Sequence, residues 1–242
     1  MAPDLIRFEG VVAGYGALTI LNELSFGARA GEITLLIGPN GAGKSTVLKT
    51  LFGLLAPTGG SIYVRDQQVG GHKPARMLAT GVAFVPQGRN LFPSLSVRHN
   101  LELGAITLPA AERAARFAEA MARFPHLQLR IDNQASTLSG GEQKQLEIAR
   151  ALQLRPDILL IDEPSIGLSP IVNQQVFALL RGLADAGTTI LMVEQNVRAA
   201  LAVSDRVLLL EGGRLMLDSP AGTLLADPDL NRVFLGKAVA AA

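Results

Sequence analysis

The chain has 242 residues, a length that suits one domain with subdomains better than two separate domains. Its 22 Lys and Arg residues against 21 Asp and Glu residues leave a net charge of +1, which argues against a general nucleic-acid binder. The sequence contains no cysteine, which excludes disulfides and thiolate chemistry, and 48% of its residues are hydrophobic, which excludes a disordered chain.

The first ten residues, MAPDLIRFEG, lack the basic-then-apolar pattern of a secretory signal. No apolar run in the sequence approaches the ~20 residues that a membrane-spanning helix needs. We therefore expect a cytoplasmic protein. Its three histidines, His72, His99 and His126, lie too far apart in the sequence to suggest a metal site.

Five strands are predicted in the first part of the chain, at residues 5–13, 18–26, 32–37, 61–64 and 82–85. The first two mix apolar and polar residues at strand spacing, and the turn between them contains Tyr15. The third is a short apolar run that ends at a glycine-rich loop. From Lys44 onward, apolar residues recur at helical spacing, so the order here is strand, loop and helix.

The loop between this strand and this helix matches the pattern G-x-x-x-x-G-K-[ST], which binds nucleotide phosphates. Small residues let backbone N–H groups approach phosphate oxygens, and the positive end of the helix faces the same anions. Lys44 is expected to contact the β- and γ-phosphates of ATP, and the Ser45 hydroxyl to bind Mg²⁺. A flexible glycine loop without a ligand is the alternative. The predicted phosphate-binding residues are Gly38, Pro39, Asn40, Gly41, Ala42, Gly43, Lys44, Ser45 and Thr46.

The middle of the chain is predicted to be an α-helical subdomain. The segment after Pro109 is rich in Ala, Glu and Arg and should be helical, and residues 141–154 form a second predicted helix. We place this subdomain at about residues 88–154, inserted into an α/β core formed by residues 1–87 and 155–242.

A second glycine-rich motif, LSGGEQ, occupies the start of the predicted helix at 141. Two glycines and a serine at a helix start can bind an anion. Ser139 can equally be an ordinary N-cap, with Glu142 favouring the first turn. Spacing alone favours the N-cap.

Strands return in the last part of the chain. Residues 157–161 and 188–193 are continuous apolar runs, which are typical of buried parallel strands, and a helix at 170–185 separates them. Residues 207–210 and 214–217 form a predicted hairpin. This alternation predicts an α/β fold with a parallel sheet.

Two carboxylates, Asp162 and Glu163, end the first of these runs, where parallel sheets bind their ligands. Asp162 would hold Mg²⁺, directly or through water. Glu163 would polarise the water that attacks the γ-phosphate. A solvated turn after a buried strand is the alternative.

The phosphate loop, LSGGEQ and the apolar-Asp-Glu strand, in this order, resemble the motifs of ABC-type ATPases. The resemblance covers residues 5–236. It implies a P-loop ATPase core with a parallel sheet, an N-terminal antiparallel β subdomain and an inserted α-helical subdomain. It also implies a head-to-tail dimer, in which Ser139, Gly140 and Gly141 contact the γ-phosphate of ATP bound by the other subunit.

The same resemblance assigns roles to four further residues. Tyr15 matches the aromatic residue that stacks on adenine, and Gln87 matches a glutamine that senses Mg²⁺ and faces the membrane partner; an ordinary turn or loop residue is the alternative for each. Gln195 stands where most members have histidine, and it can donate a hydrogen bond to phosphate but cannot titrate near neutral pH. Ser169 stands where members commonly have an acid.

Three groups of residues resemble the ATP-binding subunits of branched-chain amino-acid importers. They are VPQGR at 85–89 together with LFP at 91–93, VEQN at 193–196, and FLG at 234–236. Importers of urea and short amides share much of this pattern and remain an alternative. A non-transport ABC ATPase acting on nucleic acid or ribosomes, and a P-loop switch or kinase, are further alternatives.

The resemblance also implies partners and a location. We expect a homo- or heterodimer of ATPase subunits, bound to membrane permease subunits at the cytoplasmic face of the inner membrane, and linked only indirectly to a periplasmic solute-binding protein. The permease surface should include Leu91, Phe92, Pro93 and Leu95, unless these residues pack inside the helical subdomain.

Overall fold

The computed structural model describes residues 4–226, and two β-sheets organise this part of the chain. The FLG segment at 234–236, which contributes to the importer resemblance, lies outside the described residues. Among residues 4–226, no helix combines the length and the apolar character needed to cross a bilayer.

The described chain begins with three strands and then mixes helices and strands. Its strands are β1 (Asp4–Tyr15), β2 (Leu18–Arg29), β3 (Ile33–Ile37), β4 (Gly59–Val64), β5 (Gln67–Gln68), β6 (Val82–Val85), β7 (Ile158–Asp162), β8 (Thr189–Val193), β9 (Arg206–Glu211) and β10 (Arg214–Pro220). Its α-helices are α1 (Lys44–Leu51), α2 (Pro74–Ala79), α3 (Val97–Gly104), α4 (Ala110–Arg123), α5 (Pro125–Gln128), α6 (Gly140–Ala151), α7 (Pro170–Asp185), α8 (Val197–Leu201) and α9 (Ala221–Ala226).

The smaller sheet is antiparallel, with strand order β2-β1-β4-β5. Its central strand β1 pairs with both β2 and β4, so Phe8 lies between Phe26 and Ile62. The rings of Phe8 and Phe26 stack with their centroids 4.6 Å apart. The expected N-terminal antiparallel subdomain is confirmed. The first strand runs past its predicted end because pairing continues to Tyr15 at the turn, and the second because Ala28 and Arg29 pair with Ile6 and Asp4.

The larger sheet has the order β10-β9-β3-β8-β7-β6. All neighbouring pairs from β9 to β6 are parallel, and only β10 runs antiparallel, as the predicted hairpin with β9 requires. Every residue of β3, β7 and β8 is buried. The prediction of a parallel sheet from continuous apolar runs is therefore confirmed.

Side chains on the two faces of this sheet enter two hydrophobic clusters, because successive strand residues point to opposite faces. Leu36 and Leu160 pack with Leu48 of α1 and with the antiparallel sheet. Leu35 and Leu159 pack on the other face with residues of α6 and α7. Because both faces of the sheet are covered by other elements, we expect ligands to bind at the loops that follow the carboxyl ends of its strands.

The helices α3 to α6 lie in the chain between β6 and β7, as the expected insertion requires. Helix α6 ends at Ala151 and continues into a 3₁₀ turn at Leu152–Leu154, so the predicted helix over 141–154 is helical with a 3₁₀ last turn. Arg155 has a left-handed backbone with φ 46°, and Pro156 follows it. Proline disfavours a helical conformation in the residue before it, so the helical segment stops before Arg155.

Candidate active site

A cavity of about 400 Å³ lies at the carboxyl ends of β3, β6, β7 and β8. These strands are neighbours in the sheet, although the adjacent strands β3 and β8 are separated in the sequence by residues 38–188. The sheet therefore brings together residues that were predicted from separate sequence motifs. The cavity is lined by Ile20, Asn40, Gly41, Ala42, Gly43, Lys44, Ser45, Thr46, Gln87, Glu163 and Gln195.

The phosphate loop requires glycine at two of its positions. Gly38 has φ 148°, and a Cβ atom there would lie 2.1 Å from the carbonyl oxygen of Leu210. Gly43 has φ 99° at the start of α1, and its Cβ atom would lie 2.9 Å from the Leu21 side chain. Only glycine adopts such angles readily and permits this close approach, so the loop conformation depends on these two residues.

Lys44 is almost fully buried at the floor of this loop. Its Nζ atom donates to the carbonyl oxygens of Gly38 at 2.7 Å and Pro39 at 3.0 Å. Burial lowers the pKa of the Lys44 ammonium, while the carboxylates of Glu163 and Asp162 act to raise it. An ammonium held only by carbonyl oxygens is poised to exchange them for a stronger, anionic acceptor.

Asp162 ends β7 with a side chain that is 1% exposed. Burial raises the pKa of this carboxyl, and the hydrogen bond with the Ser45 hydroxyl opposes the rise. The Oδ1 atom of Asp162 is buried and has no hydrogen-bond partner. An unpartnered carboxylate oxygen beside a hydroxyl is a donor set that suits a hard divalent cation such as Mg²⁺.

Glu163 is held by two side-chain amides. Its Oε2 accepts from Gln87 Nε2 at 2.6 Å, and its Oε1 accepts from Gln195 Nε2 at 2.7 Å. Its backbone has φ 48°, a left-handed conformation unusual for glutamate, and its N–H donates to Val193 O at 2.9 Å. Such strain is common at functional sites, where neighbouring structure holds the residue in place. Three residues predicted from separate motifs thus form one hydrogen-bonded group.

Tyr15 lies at the end of β1 and is 48% exposed. It is not among the residues that line the cavity. Stacking of its ring on adenine therefore stays a prediction.

The LSGGEQ motif lies elsewhere in the chain, at the start of α6. Ser139 caps this helix: its Oγ accepts from Glu142 N at 3.3 Å, and the Glu142 carboxylate accepts from Ser139 N at 2.8 Å. The N-cap favoured by spacing is confirmed by this capping box. Ser139 and Gly141 line a different cavity, of about 640 Å³, and do not reach the phosphate loop of their own chain.

Gly141 also has a packing role. A Cβ atom at this position would lie 2.5 Å from Val172 Cγ1 of α7, whereas one at Gly140 would lie 3.6 Å from its nearest neighbour. Ser169, at the position where an acid was expected from the resemblance, caps α7 by accepting from Val172 N at 3.5 Å.

A third cavity, of about 480 Å³, lies between β6 and the helices α3 and α6. Of the four apolar residues expected at the surface here, Phe92 and Pro93 are exposed, whereas Leu91 and Leu95 are half-buried. Leu91 packs against the core. The exposed surface expected from sequence is therefore present at two of the four positions, and Phe92 lines the cavity.

The sequence analysis missed Glu194, which is 2% exposed and follows β8 directly. Its carboxylate accepts hydrogen bonds from three backbone N–H groups, those of Ser165, Gln195 and Asn196. The available signal was an acid placed immediately after a fully apolar strand, where burial demands partners.

The chain matches the ABC transporter family model over residues 21–166. It is 38% identical to the high-affinity branched-chain amino acid transport ATP-binding protein BraG of Pseudomonas aeruginosa, over 96% of this chain and 100% of that protein. It is 36% identical to the probable branched-chain amino acid transport ATP-binding protein LivF of Archaeoglobus fulgidus, over 96% and 99%. It is 37% identical to the Nod factor export ATP-binding protein I of Neorhizobium galegae, over 93% and 65%.

Solved structures agree with this relationship. The ADP conformation of MJ1267, an ATP-binding cassette of an ABC transporter, superposes with a TM-score of 0.87 and 25% identity, over 97% of this chain and 100% of that one. A dimeric, post-hydrolysis state of the cassette MJ0796, bound to ADP and phosphate, gives a TM-score of 0.78 and 26% identity, over 89% and 98%. Together with the phosphate loop and the carboxylates beside it, these matches establish that the chain belongs to the ABC transporter family, as an ATP-hydrolysing subunit.

Proposed function

We propose that this chain drives an importer of branched-chain amino acids. The observation that carries this proposal is the end-to-end match with BraG and LivF, both named for branched-chain amino acid transport. The Nod factor exporter has a similar identity, but this chain spans only 65% of its length. Full-length correspondence favours the amino-acid transport subunits over that exporter.

The lining of the cavity and the family resemblance support the following catalytic roles. Lys44 and the backbone N–H groups of the phosphate loop bind the β- and γ-phosphates of ATP, and Tyr15 stacks on the adenine. Ser45, Asp162 and Gln87 would hold Mg²⁺, and the bound ion would neutralise negative charge on the phosphate oxygens.

Glu163 orients the attacking water and accepts its proton as the bond to the γ-phosphate forms and ADP leaves. Each carboxylate oxygen has two lone-pair sites, so a water can donate to Glu163 while Gln87 and Gln195 stay bonded to it. The Gln195 amide has a second N–H, which donates to the γ-phosphate, a role that needs no titratable histidine.

A second ATPase subunit completes the site. Ser139 and Gly141 line a cavity other than the phosphate-loop cavity of their own chain, and with Gly140 they start α6, whose N-terminal amides attract anions. In a head-to-tail dimer these groups contact the γ-phosphate held by the other subunit. ATP therefore favours the closed dimer, and its hydrolysis removes the contact that holds the dimer closed.

Membrane permease subunits bind at the third cavity, beside the exposed Phe92. Asn90 in this region donates its N–H to Glu147 Oε1 at 2.7 Å, and its carbonyl oxygen accepts from Arg150 at 2.6 Å. Glu147 and Arg150 belong to α6, the helix that begins at Gly140. This connection supports a transfer of motion between the permease and the γ-phosphate contacts.

The chain then lies at the cytoplasmic face of the inner membrane as a peripheral subunit, and a periplasmic solute-binding protein reaches it only through the permeases. Nucleic acid is not a partner, given the net charge of +1.

Uptake in cells tests this function directly. A strain lacking the gene should lose ATP-dependent accumulation of labelled leucine, isoleucine and valine. The wild-type chain should restore it and Lys44→Ala should not. Restoration of urea or acetamide uptake without amino-acid uptake would assign the chain to the alternative importer group. Unchanged amino-acid uptake in the deletion strain would contradict the proposal.

A further inference from the structure

We propose that Glu194 is a positioning residue for ATP hydrolysis, which holds the loops carrying Glu163 and Gln195 in a fixed relation. Its Oε1 accepts from Ser165 N at 2.8 Å, in the loop after β7. Its Oε2 accepts from Gln195 N at 2.9 Å and Asn196 N at 3.0 Å, in the loop after β8. One carboxylate therefore bridges two loops that are separated by 29 positions in the sequence.

The chemistry of these bonds favours a dedicated role. Within the described residues, no ion pair includes Glu194, although its side chain is almost entirely buried. A buried carboxylate without a cation is unfavourable unless several hydrogen bonds stabilise it, and backbone N–H groups do so strongly. An apolar residue here would fill the space but leave the buried N–H of Ser165 and the partly buried N–H groups of Gln195 and Asn196 without these partners.

The two loops need such a connection because their other contacts change during turnover. Glu163 and Gln195, which share a side-chain hydrogen bond, also contact the attacking water and the phosphate during turnover, according to the roles proposed above. The bonds of Glu194 are to backbone N–H groups and do not involve those reacting side chains. They can therefore preserve the spacing of Glu163 and Gln195 while these side chains contact water and phosphate.

Because Glu194 lies outside the phosphate contacts, its loss should affect kcat and nucleotide affinity differently. Glu194 is not among the residues that line the phosphate cavity, and its hydrogen bonds do not involve Lys44 or the phosphate loop. Loss of its carboxylate should lower kcat while leaving the KM for ATP and the Kd for ADP nearly unchanged. A role in general stability alone would not separate these quantities.

Glu194→Gln keeps the volume but replaces one acceptor oxygen with an N–H donor. We expect kcat to fall about tenfold or more, with nucleotide affinity within about twofold of wild type. Glu194→Asp keeps the charge but is one methylene shorter, so it should lose the bond to Ser165 first and show an intermediate kcat. It carries the test if Glu194→Gln does not fold.

Asp205→Asn is the matched control, because Asp205 also accepts a backbone N–H, that of Ile33 at 2.8 Å, at the opposite end of the sheet. It should lower the melting temperature and leave kcat within about twofold of wild type. The proposal is overturned if the Glu194 variants keep a wild-type kcat, if their kcat and nucleotide affinity fall together, or if Asp205→Asn loses as much kcat as they do.

The inference rests on the proposed roles of Glu163 and Gln195, so Glu163→Gln is measured in parallel. If Glu163→Gln loses turnover and Glu194→Gln does not, only the positioning role is wrong. If Glu163→Gln keeps normal turnover, the proposed catalytic role of Glu163 is wrong.

Discussion

The phosphate loop and the LSGGEQ segment are both glycine-rich helix starts, yet they differ in what surrounds them. The loop before α1 faces a cavity lined by Lys44 and Glu163, and the unpartnered oxygen of Asp162 belongs to the residue just before Glu163. The start of α6 is closed by its own capping box and faces another cavity. One helix start thus lies beside charged side chains of its own chain, whereas the other is proposed to contact a phosphate held by a second subunit.

We expect the largest effect from a change in the phosphate-loop cavity, whose residues all belong to one chain. Lys44→Ala removes a buried ammonium that neutralises phosphate charge, so we expect ATP turnover to fall roughly 100-fold or more. Steady-state phosphate release and nucleotide-binding assays measure this. Lys73→Ala, at an exposed lysine before α2, is the control and should retain wild-type turnover. Normal activity of Lys44→Ala would contradict the assignment of the phosphate loop.

Glu163→Gln separates binding from chemistry in the same region. The amide cannot accept the proton of the attacking water, so turnover should fall roughly 100-fold while ATP still binds. Size-exclusion chromatography with Mg-ATP should then show an accumulated dimer. Turnover near that of wild type would show that another group orients the water.

Gly141→Ala tests the second region. The added Cβ atom would lie 2.5 Å from Val172 Cγ1, so α6 and α7 must shift, at a cost of about 1–3 kcal/mol in the free energy of unfolding. Gly140→Ala is the matched control, because the nearest atom to its Cβ would be 3.6 Å away. Thermal unfolding compares the two variants. Equal melting temperatures would contradict the packing role of Gly141.

Gln195→His should have the smallest effect. Histidine also donates a hydrogen bond to phosphate, so turnover should stay within about threefold of wild type if donation is the only role of this residue. Gln195→Ala, which removes the donor, should lose more. A much larger loss in Gln195→His than in Gln195→Ala would indicate that the histidine ring clashes at this position.

Local motifs and continuous apolar runs could be predicted from the sequence, whereas features that depend on distant residues could not. Strands β7 and β8 were predictable because each is a buried run of mostly apolar residues, and the phosphate loop because its chemistry needs one short motif. The helices α2 and α8 were not predicted. They have 6 and 5 residues, too few for a clear helical repeat.

The arrangement of the site depends on the order of the strands in the sheet, which the sequence alone did not predict. Gln87, Glu163 and Gln195 meet because β6, β7 and β8 are neighbours in the sheet, although 76 and 32 positions separate the bonded residues. Glu194 was missed for the same reason, since one of its three partners lies in another loop. The roles of Ser139, Gly140 and Gly141 came from family resemblance, because within one chain these residues form an ordinary helix start.

The most direct test of the two-subunit site mixes two inactive chains. Lys44→Ala damages only the phosphate loop, and Gly140→Asp places a negative charge at the start of α6, where Asp is compatible with the helix but repels phosphate. Each variant is coexpressed with the other under a different affinity tag, and mixed pairs are purified on both tags. A site shared between chains leaves one intact site in each mixed pair, so about half of wild-type ATPase activity should return. Mixed pairs as inactive as the parent variants would contradict the shared site.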